Sequence, residues 1–263
     1  AEPGNEYVEF QNGMVVQLAQ ESGGMNDERL KSQLRQTIEH HFAKEKRLKD
    51  KGIKVLSLFF IDHVKSYRAY DDGGNRQKGK LAVWFEELYA EISKMPMYMG
   101  LIPHTADAVH DGYFSADKKK GKVVEELDTT GGTARDEETY ELIMKDKERL
   151  LNADEPLRFI FSHSALREGW DNPNVFQICT LREMGTDRER RQTIGRGLRL
   201  PVNQNGDRIF DDQVNRLTVI ANESFENFAR GLQSDIEAAI DPDGNFKFGR
   251  ISQIAFTPLL NAA

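Results

Sequence analysis

Apolar side chains follow two rhythms along this chain, and the changes between them mark out the elements. Between Asn26 or Asp27, either of which suits a helix N-cap, and Gly52, the residues Leu30, Leu34, Ile38 and Phe42 recur every four positions. That spacing predicts an amphipathic helix which the glycine stops. KVLSLFF follows as a continuous apolar strand, and a helix running straight into a strand buried on both faces is how parallel α/β sheets are built. Tyr140, Ile143, Met144, Lys147 and Leu150 predict a further helix over 137–151. LRFIFS and VFQICTL then predict strands on either side of a glycine-containing loop. An arginine-rich helix ended near Pro201, an Asn205-Gly206 turn, the strand RLTVIA and a helix from about Ser224, with Phe225, Phe228, Ala229, Leu232 and Ile236 on one face, complete the series. The fold expected is an α/β open, mostly parallel sheet flanked by helices.

Outside this alternation the pattern weakens. EYVEFQNGMVVQL alternates around Asn12-Gly13, which predicts a hairpin. Between about residues 71 and 132 the rhythm is lost over a length beyond ordinary connections, so this stretch is expected to be an insertion, partly helical around Leu81 to Ile92. The chain therefore divides into a lead-in (1–25), one α/β unit (26–240) and a C-terminal tail or linker (241–263).

Composition narrows the function. With 263 residues and 30.0 kDa the chain can bury a core without a disulfide or metal staple. Charged residues make up 30% and mean hydropathy is -0.62, while the longest nearly apolar run, Val55 to Ile61, is too short to span a bilayer. The N-terminus has no basic start or apolar signal core, so a cytoplasmic location is expected. Cys179, the single cysteine, has the setting of a buried inert thiol. A net charge of -7 does not mark a nucleic-acid binder, yet six arginines, three acids and no lysine lie between Arg182 and Arg199. Arginine without lysine suggests planar contacts with phosphate or carboxylate.

Two segments carry the candidate chemistry. SALREGWDNPNVFQICTL, residues 164 to 181, sets Gly169 and Asp171 in a loop between apolar strands, where α/β folds place reactive groups. QTIGRGLR, residues 192 to 199, spaces Gln192, Gly195, Arg196 and Arg199. On a helix Arg196 and Arg199 share a face, with Gln192 one turn before Arg196, and two converging guanidinium groups suit a polyphosphate. Ion pairing with Glu183, Asp187 and Glu189 is the plainer account of a single arginine, though not of the whole spacing.

In this order and spacing REGWDNPNV and QTIGRGLR resemble motifs V and VI of superfamily 2 helicases and translocases, which lie in the second of two RecA-like lobes. KVLSLFFID, HDGYFS, FIFSHSALREGWDNPNVFQICTL and NRLTVIANESFENFA resemble more narrowly the Res subunit of type III restriction-modification enzymes, over about Arg29 to Ile236. Thr193 departs from the pattern, since many relatives carry arginine there. The resemblance implies that Arg196 and Arg199 are arginine fingers for ATP held by the first RecA-like lobe, with Mg²⁺ as cofactor of the complete enzyme. It implies that Gly169, Asp171, Gln192 and Gly195 line that ATP cleft, and that Ser162, His163 or Ser164 touches a DNA phosphate. It also implies double-stranded DNA and a modification (methyltransferase) subunit as partners.

Parts of such an enzyme are absent from the sequence. No DExH or DEAD string occurs. Gly74 to Leu81 is a formal GxxxxGK, but Leu81 stands where a magnesium-binding hydroxyl is needed. The chain is thus expected to be a second motor lobe, silent by itself and holding no nucleotide or metal alone. A rival reading is a self-contained DNA-binding or partner-docking module without ATP dependence. A third, a nuclease built from Asp107, Asp117 and Lys119, lacks the Pro-Asp expected before it. The six histidines show no zinc spacing.

Overall fold

A computed structural model describes residues 7–9, 15–17, 23–70, 76–114, 134–163, 170–182, 184, 186–221, 231 and 253–255. Its elements, in order, are strands β1 (Tyr7–Glu9) and β2 (Val15–Gln17), helix α1 (Gly23–Leu48), strands β3 (Leu56–Phe60), β4 (Arg68–Tyr70) and β5 (Arg76–Lys78), and helix α2 (Lys80–Ser93). Strand β6 (His110–Tyr113), helices α3 (Ala134–Met144) and α4 (Lys147–Leu151), strands β7 (Phe159–Ser162) and β8 (Val175–Thr180), helix α5 (Asp187–Gly195) and strands β9 (Thr218–Ile220) and β10 (Gln253–Ala255) follow. Six strands form one sheet in the order β10-β9-β8-β3-β7-β6, and every neighbouring pair is parallel.

The sheet is covered on both faces, as the unbroken apolar runs require. Leu56, Leu58, Phe60, Ile160, Ile178 and Val219 pack with Leu142, Ile143, Leu150, Trp170 and Ile194, the layer built by α3, α4, α5 and the segment entering β8. Phe59, Phe159, Phe161 and Cys179 face the other way, against Leu34, Ile38 and Phe42 of α1 and Phe85, Tyr89 and Ile92 of α2. This second face is an aromatic stack, with Phe59 and Tyr67 each 4.5 Å from the ring of Phe161. Such pairs add to the stabilisation that burial alone supplies. Cys179 lies in this layer with its thiol pushed up to about 12 by burial, as inert as its sequence setting implies.

Several polar groups that the core takes in find partners across elements. Ser57 on β3 donates to Gln177 on β8 (2.9 Å) and meets His41 Nδ1 of α1 at 2.8 Å. Near the start of β3, Lys54 donates to the carbonyls of Leu150 and Glu155 (2.8 and 2.6 Å), and Glu45 accepts from Val55 N–H beside Arg158. Lys44 similarly reaches the carbonyls of Val214 and Arg216.

Several expectations change in detail. Helix α1 begins at Gly23, ahead of Asn26 and Asp27, and Asp27 pairs with Lys80 at 2.6 Å. The helix expected over 137–151 is broken, because the Asp146 side chain accepts from Arg149 N–H and starts α4 afresh. The arginine-rich helix ends at Gly195, short of Pro201. Residues 71–132 supply β5, α2 with its buried apolar face, and β6, an edge strand of the main sheet. Within 241–263, Gln253–Ala255 pairs with β9. Strands β1 and β2 pair antiparallel as expected, while their Asn12-Gly13 turn and the helix from Ser224, apart from Gly231, fall outside the described residues.

Two measurements test this core. Phe161→Ala, which empties a site stacked against two rings, is expected to cost about 3–5 kcal/mol in urea denaturation. Burial lowers both Lys44 and Lys54 from 10.5 to about 7, Arg158 reinforcing the effect on Lys54 while Glu155 and Glu45 oppose it. Between about pH 7 and pH 10.5 the unfolded chain therefore binds more protons than the folded one, so stability rises with pH across that window. The urea midpoint should climb from about pH 7 to pH 9, and Lys54→Met should flatten the climb.

Candidate functional site

The loop from β7 to β8 serves two separate places. It leaves the sheet where β3, β7 and β8 end in register at Phe60, Ser162 and Thr180. Ser162, the last strand residue, is buried, whereas His163 emerges exposed; Ser164 and Gly169 fall outside the described residues. Burial lowers the His163 pKa, the charges of Arg182 and His63 lower it further, and Asp62 opposes them. Groups from the ends of all three central strands therefore meet at this edge. Arg182 is tied by an ion pair to Glu189 of α5, and Arg190 pairs with Asp187 at 3.1 Å. For these two arginines the plain ion-pair account holds.

The far end of the same loop enters β8 over the α3–α5 layer, anchored by Trp170. Its indole is 1% exposed and donates to the carbonyl of Ile143 (2.8 Å), one of the last carbonyls of α3. Its own backbone carbonyl accepts from the Arg196 guanidinium. The next residue, Asp171, accepts from Lys147 of α4, and Arg199 Nη1 stands 3.9 Å from its second oxygen. The adjacent lysine, chiefly, and then Arg199 hold the Asp171 carboxyl below its usual range against a smaller effect of burial.

Arg196 and Arg199 are thus brought to one place, though not by a shared helix face. Arg196 is the C-cap of α5, still helical at φ -69 and ψ -29, and Arg199 lies in the segment beyond. The convergence comes from the turn after α5. Gly197 packs there against Leu217, whose Cδ1 would lie 2.3 Å from an added Cβ. Asn174, fully buried, donates to the carbonyls of Lys54 and Val202 (3.0 Å each) and accepts from Val202 N–H (2.9 Å). One amide thus fastens the chain after Arg199 to the entry of β3. Gln192 lies exposed one turn before Arg196, and an added Cβ at Gly195 would meet nothing within 4 Å, so that side of the helix end is open. Thr193 faces inward instead, its hydroxyl 3.4 Å from the Met184 sulfur.

Two residues at this site escaped the sequence reading, although both were visible. In the sequence Lys147 shows only as a spacing position in a helix, and Asn174 as one polar residue of WDNPN. Their roles depend on the break before α4 and on the return of 201–202, which no local pattern encodes.

Gly74 and Asn75 of the formal phosphate-loop match fall outside the described residues, and the rest of it is strand and helix joined at Gly79. Arg76–Lys78 is paired strand, and Gly79 N–H donates to Tyr67 O (2.7 Å). An added Cβ on Gly79 would lie 2.5 Å from the backbone of Lys65 and Ser66, so the glycine serves close packing. Asp107 is exposed, and Asp117 and Lys119 fall outside the described residues. Among the described residues no group of three metal-ligating side chains is assembled, and no helix is long and apolar enough to cross a membrane.

The parallel sheet, its two helical layers and the arginine segment define a RecA-like α/β fold. No family model matches the chain. It is 43% identical over 187 residues to the EcoPI Res subunit of Escherichia phage P1, and 42% over 185 residues to the EcoP15I Res subunit of Escherichia coli. Against the StyLTI Res subunit of Salmonella typhimurium the identity is 35% over 211 residues. These matches cover 65–70% of this chain and 17–20% of each relative. The chain belongs to the Res subunit family of type III restriction-modification enzymes and spans about a fifth of the length of these curated relatives.

Replacing Asn174 with Ala leaves two carbonyls and one N–H unpaired around a buried site. It should cost about 2–4 kcal/mol in chemical denaturation. A double-mutant cycle on Arg190 and Asp187, a helical i,i+3 ion pair whose aspartate is exposed, should give a coupling within about 0.5 kcal/mol.

Proposed function

We propose that this chain is the second motor lobe of a Res protein, which completes an ATP site formed with a first RecA-like lobe and acts on double-stranded DNA beside a modification subunit. The observation that carries the reading is the meeting of Arg196, Arg199 and Asp171 at one surface place. Arg199 has 41% of its side chain exposed, Asp171 42%, and the space beside Gly195 is open. Two guanidinium groups and a hydrogen-bonding carboxylate on an open surface fit the polyphosphate and hydroxyl groups of a nucleotide presented by another domain. Mg-ATP supplies the phosphoanhydride bond to be cleaved. This chain's part is to offset the charge that develops on the phosphoryl group, with Arg199 and Arg196 as the donors. Asp171 and Gln192 line the same cleft. The magnesium ligands are assigned to the first lobe.

His163, exposed where the central strands end and beside Arg182 and His63, is the described residue best placed to meet a DNA phosphate. A restriction role puts the protein in the cytoplasm with its DNA.

Arginine fingers act mainly on the transition state. In a full-length Res protein carrying this sequence, Arg199→Ala or Arg196→Ala should lower ATP turnover by about 10³-fold or more and leave DNA affinity nearly unchanged. Lysine at either position should not restore turnover, because it lacks the planar fork. Lost DNA affinity with intact hydrolysis would instead identify these residues as backbone contacts of a DNA-binding module.

A further inference from the structure

One carboxylate at the site has two cations beside it. Lys147 is hydrogen-bonded to Oδ1 of Asp171, whereas Arg199 Nη1 stands 3.9 Å from Oδ2, at the outer reach of an ion pair. All three side chains are exposed by about two-fifths, at 39%, 42% and 41%. At that exposure each pair is weak, and position decides which cation holds the carboxylate.

We propose that Lys147 is a positioning residue: by occupying Asp171 it keeps the Arg199 guanidinium from being captured by that carboxylate and so leaves it to reach a phosphate. This rests on the reading of Arg199 given above. Lys147 is well fixed for the task. It is the first residue of α4, whose start is set by the Asp146 cap on Arg149 N–H and whose next turn is pinned by buried Leu150. Asp171 is equally constrained, since it follows the buried, hydrogen-bonded Trp170. Arg199 belongs to neither helix and lies in the segment between Gly197 and the Asn174 clamp on Val202, with a long side chain already within 4 Å of the carboxylate. Guanidinium and carboxylate groups pair readily by two parallel hydrogen bonds. With Lys147 gone, Arg199 would close the remaining distance, and the charge meant for the phosphoryl group would be spent inside the lobe.

The test measures steady-state ATP hydrolysis by a full-length Res protein carrying this sequence, in wild-type, Lys147→Met, Lys147→Arg and Arg199→Ala forms. Lys147→Met should lower kcat about fivefold with KM for ATP little changed, the size expected when one exposed pair must be broken before each turnover. Lys147→Arg keeps a cation on Asp171 and should retain most of the rate. Because the capturing pair is exposed, the deficit of Lys147→Met relative to wild type should shrink as NaCl rises from about 50 to about 500 mM. A loss of packing at α4 would not respond in that way. Three results would each overturn the inference while leaving the motor-lobe reading intact, provided that Arg199→Ala is inactive: a wild-type rate in Lys147→Met, an equal loss in Lys147→Arg, or a deficit indifferent to salt. Near-normal hydrolysis by Arg199→Ala would overturn the motor-lobe reading itself and, with it, this inference.

Discussion

All five residues of strand β3 are buried, held between α1 and α2 on one side and α3, α4 and α5 on the other. A parallel strand covered on both faces can expose functional groups only past its ends or on the segments packed over it. The rest of the molecule follows from that constraint. At the ends of β3, β7 and β8 the chain releases Asp62, His63, His163 and Arg182 together. Over the α3–α5 layer it holds Asp171 and the arginine segment by way of Trp170, a residue that belongs to the core and to the site at once.

That double role explains how a precise arrangement is kept on a surface. Exposed ion pairs contribute little and do not by themselves fix geometry. What fixes it here is buried: the indole N–H on the Ile143 carbonyl, the Asn174 amide on three backbone groups and the packing of Gly197 on Leu217. Lys147, Asp171, Arg196 and Arg199 are mounted on these supports. In the proposed motor the charges of Arg196 and Arg199 are then poised for a phosphate brought by another domain, with little reorganisation left to do at the moment of reaction.

Polar groups inside the sheet show the same economy. Strand β6, HDGY, has no apolar alternation, yet all four residues are buried. His110 is accommodated by the Tyr67 hydroxyl at 2.8 Å and Glu86 at 3.1 Å, and Asp111 by Gly112 N–H and the Thr139 hydroxyl. These partners come from the turn before β4, from α2 and from α3. The strand exists because distant elements satisfy its side chains, which is why the sequence around it resembled an insertion.

Local periodicity determined a good deal by itself. The four-residue recurrence from Leu30 to Phe42 and the apolar runs of β3, β7 and β8 placed a helix and three central strands, because burial of one helical face or of both strand faces leaves a mark on every residue involved. Composition singled out the arginine segment, and the spacing of REGWD and QTIGRGLR marked the candidate site. The tertiary structure decided the rest. The site arginines meet Asp171 because a helix ends at Gly195 and the chain turns, not because a helix continues. Lys147 reaches the same carboxylate because Asp146 restarts a helix in its favour, and Asn174 closes the arrangement across 28 residues of sequence. Periodicity records what a residue buries. It does not record which distant backbone group a buried amide will find, or which of two cations a carboxylate will hold, since those depend on where separate elements end in space.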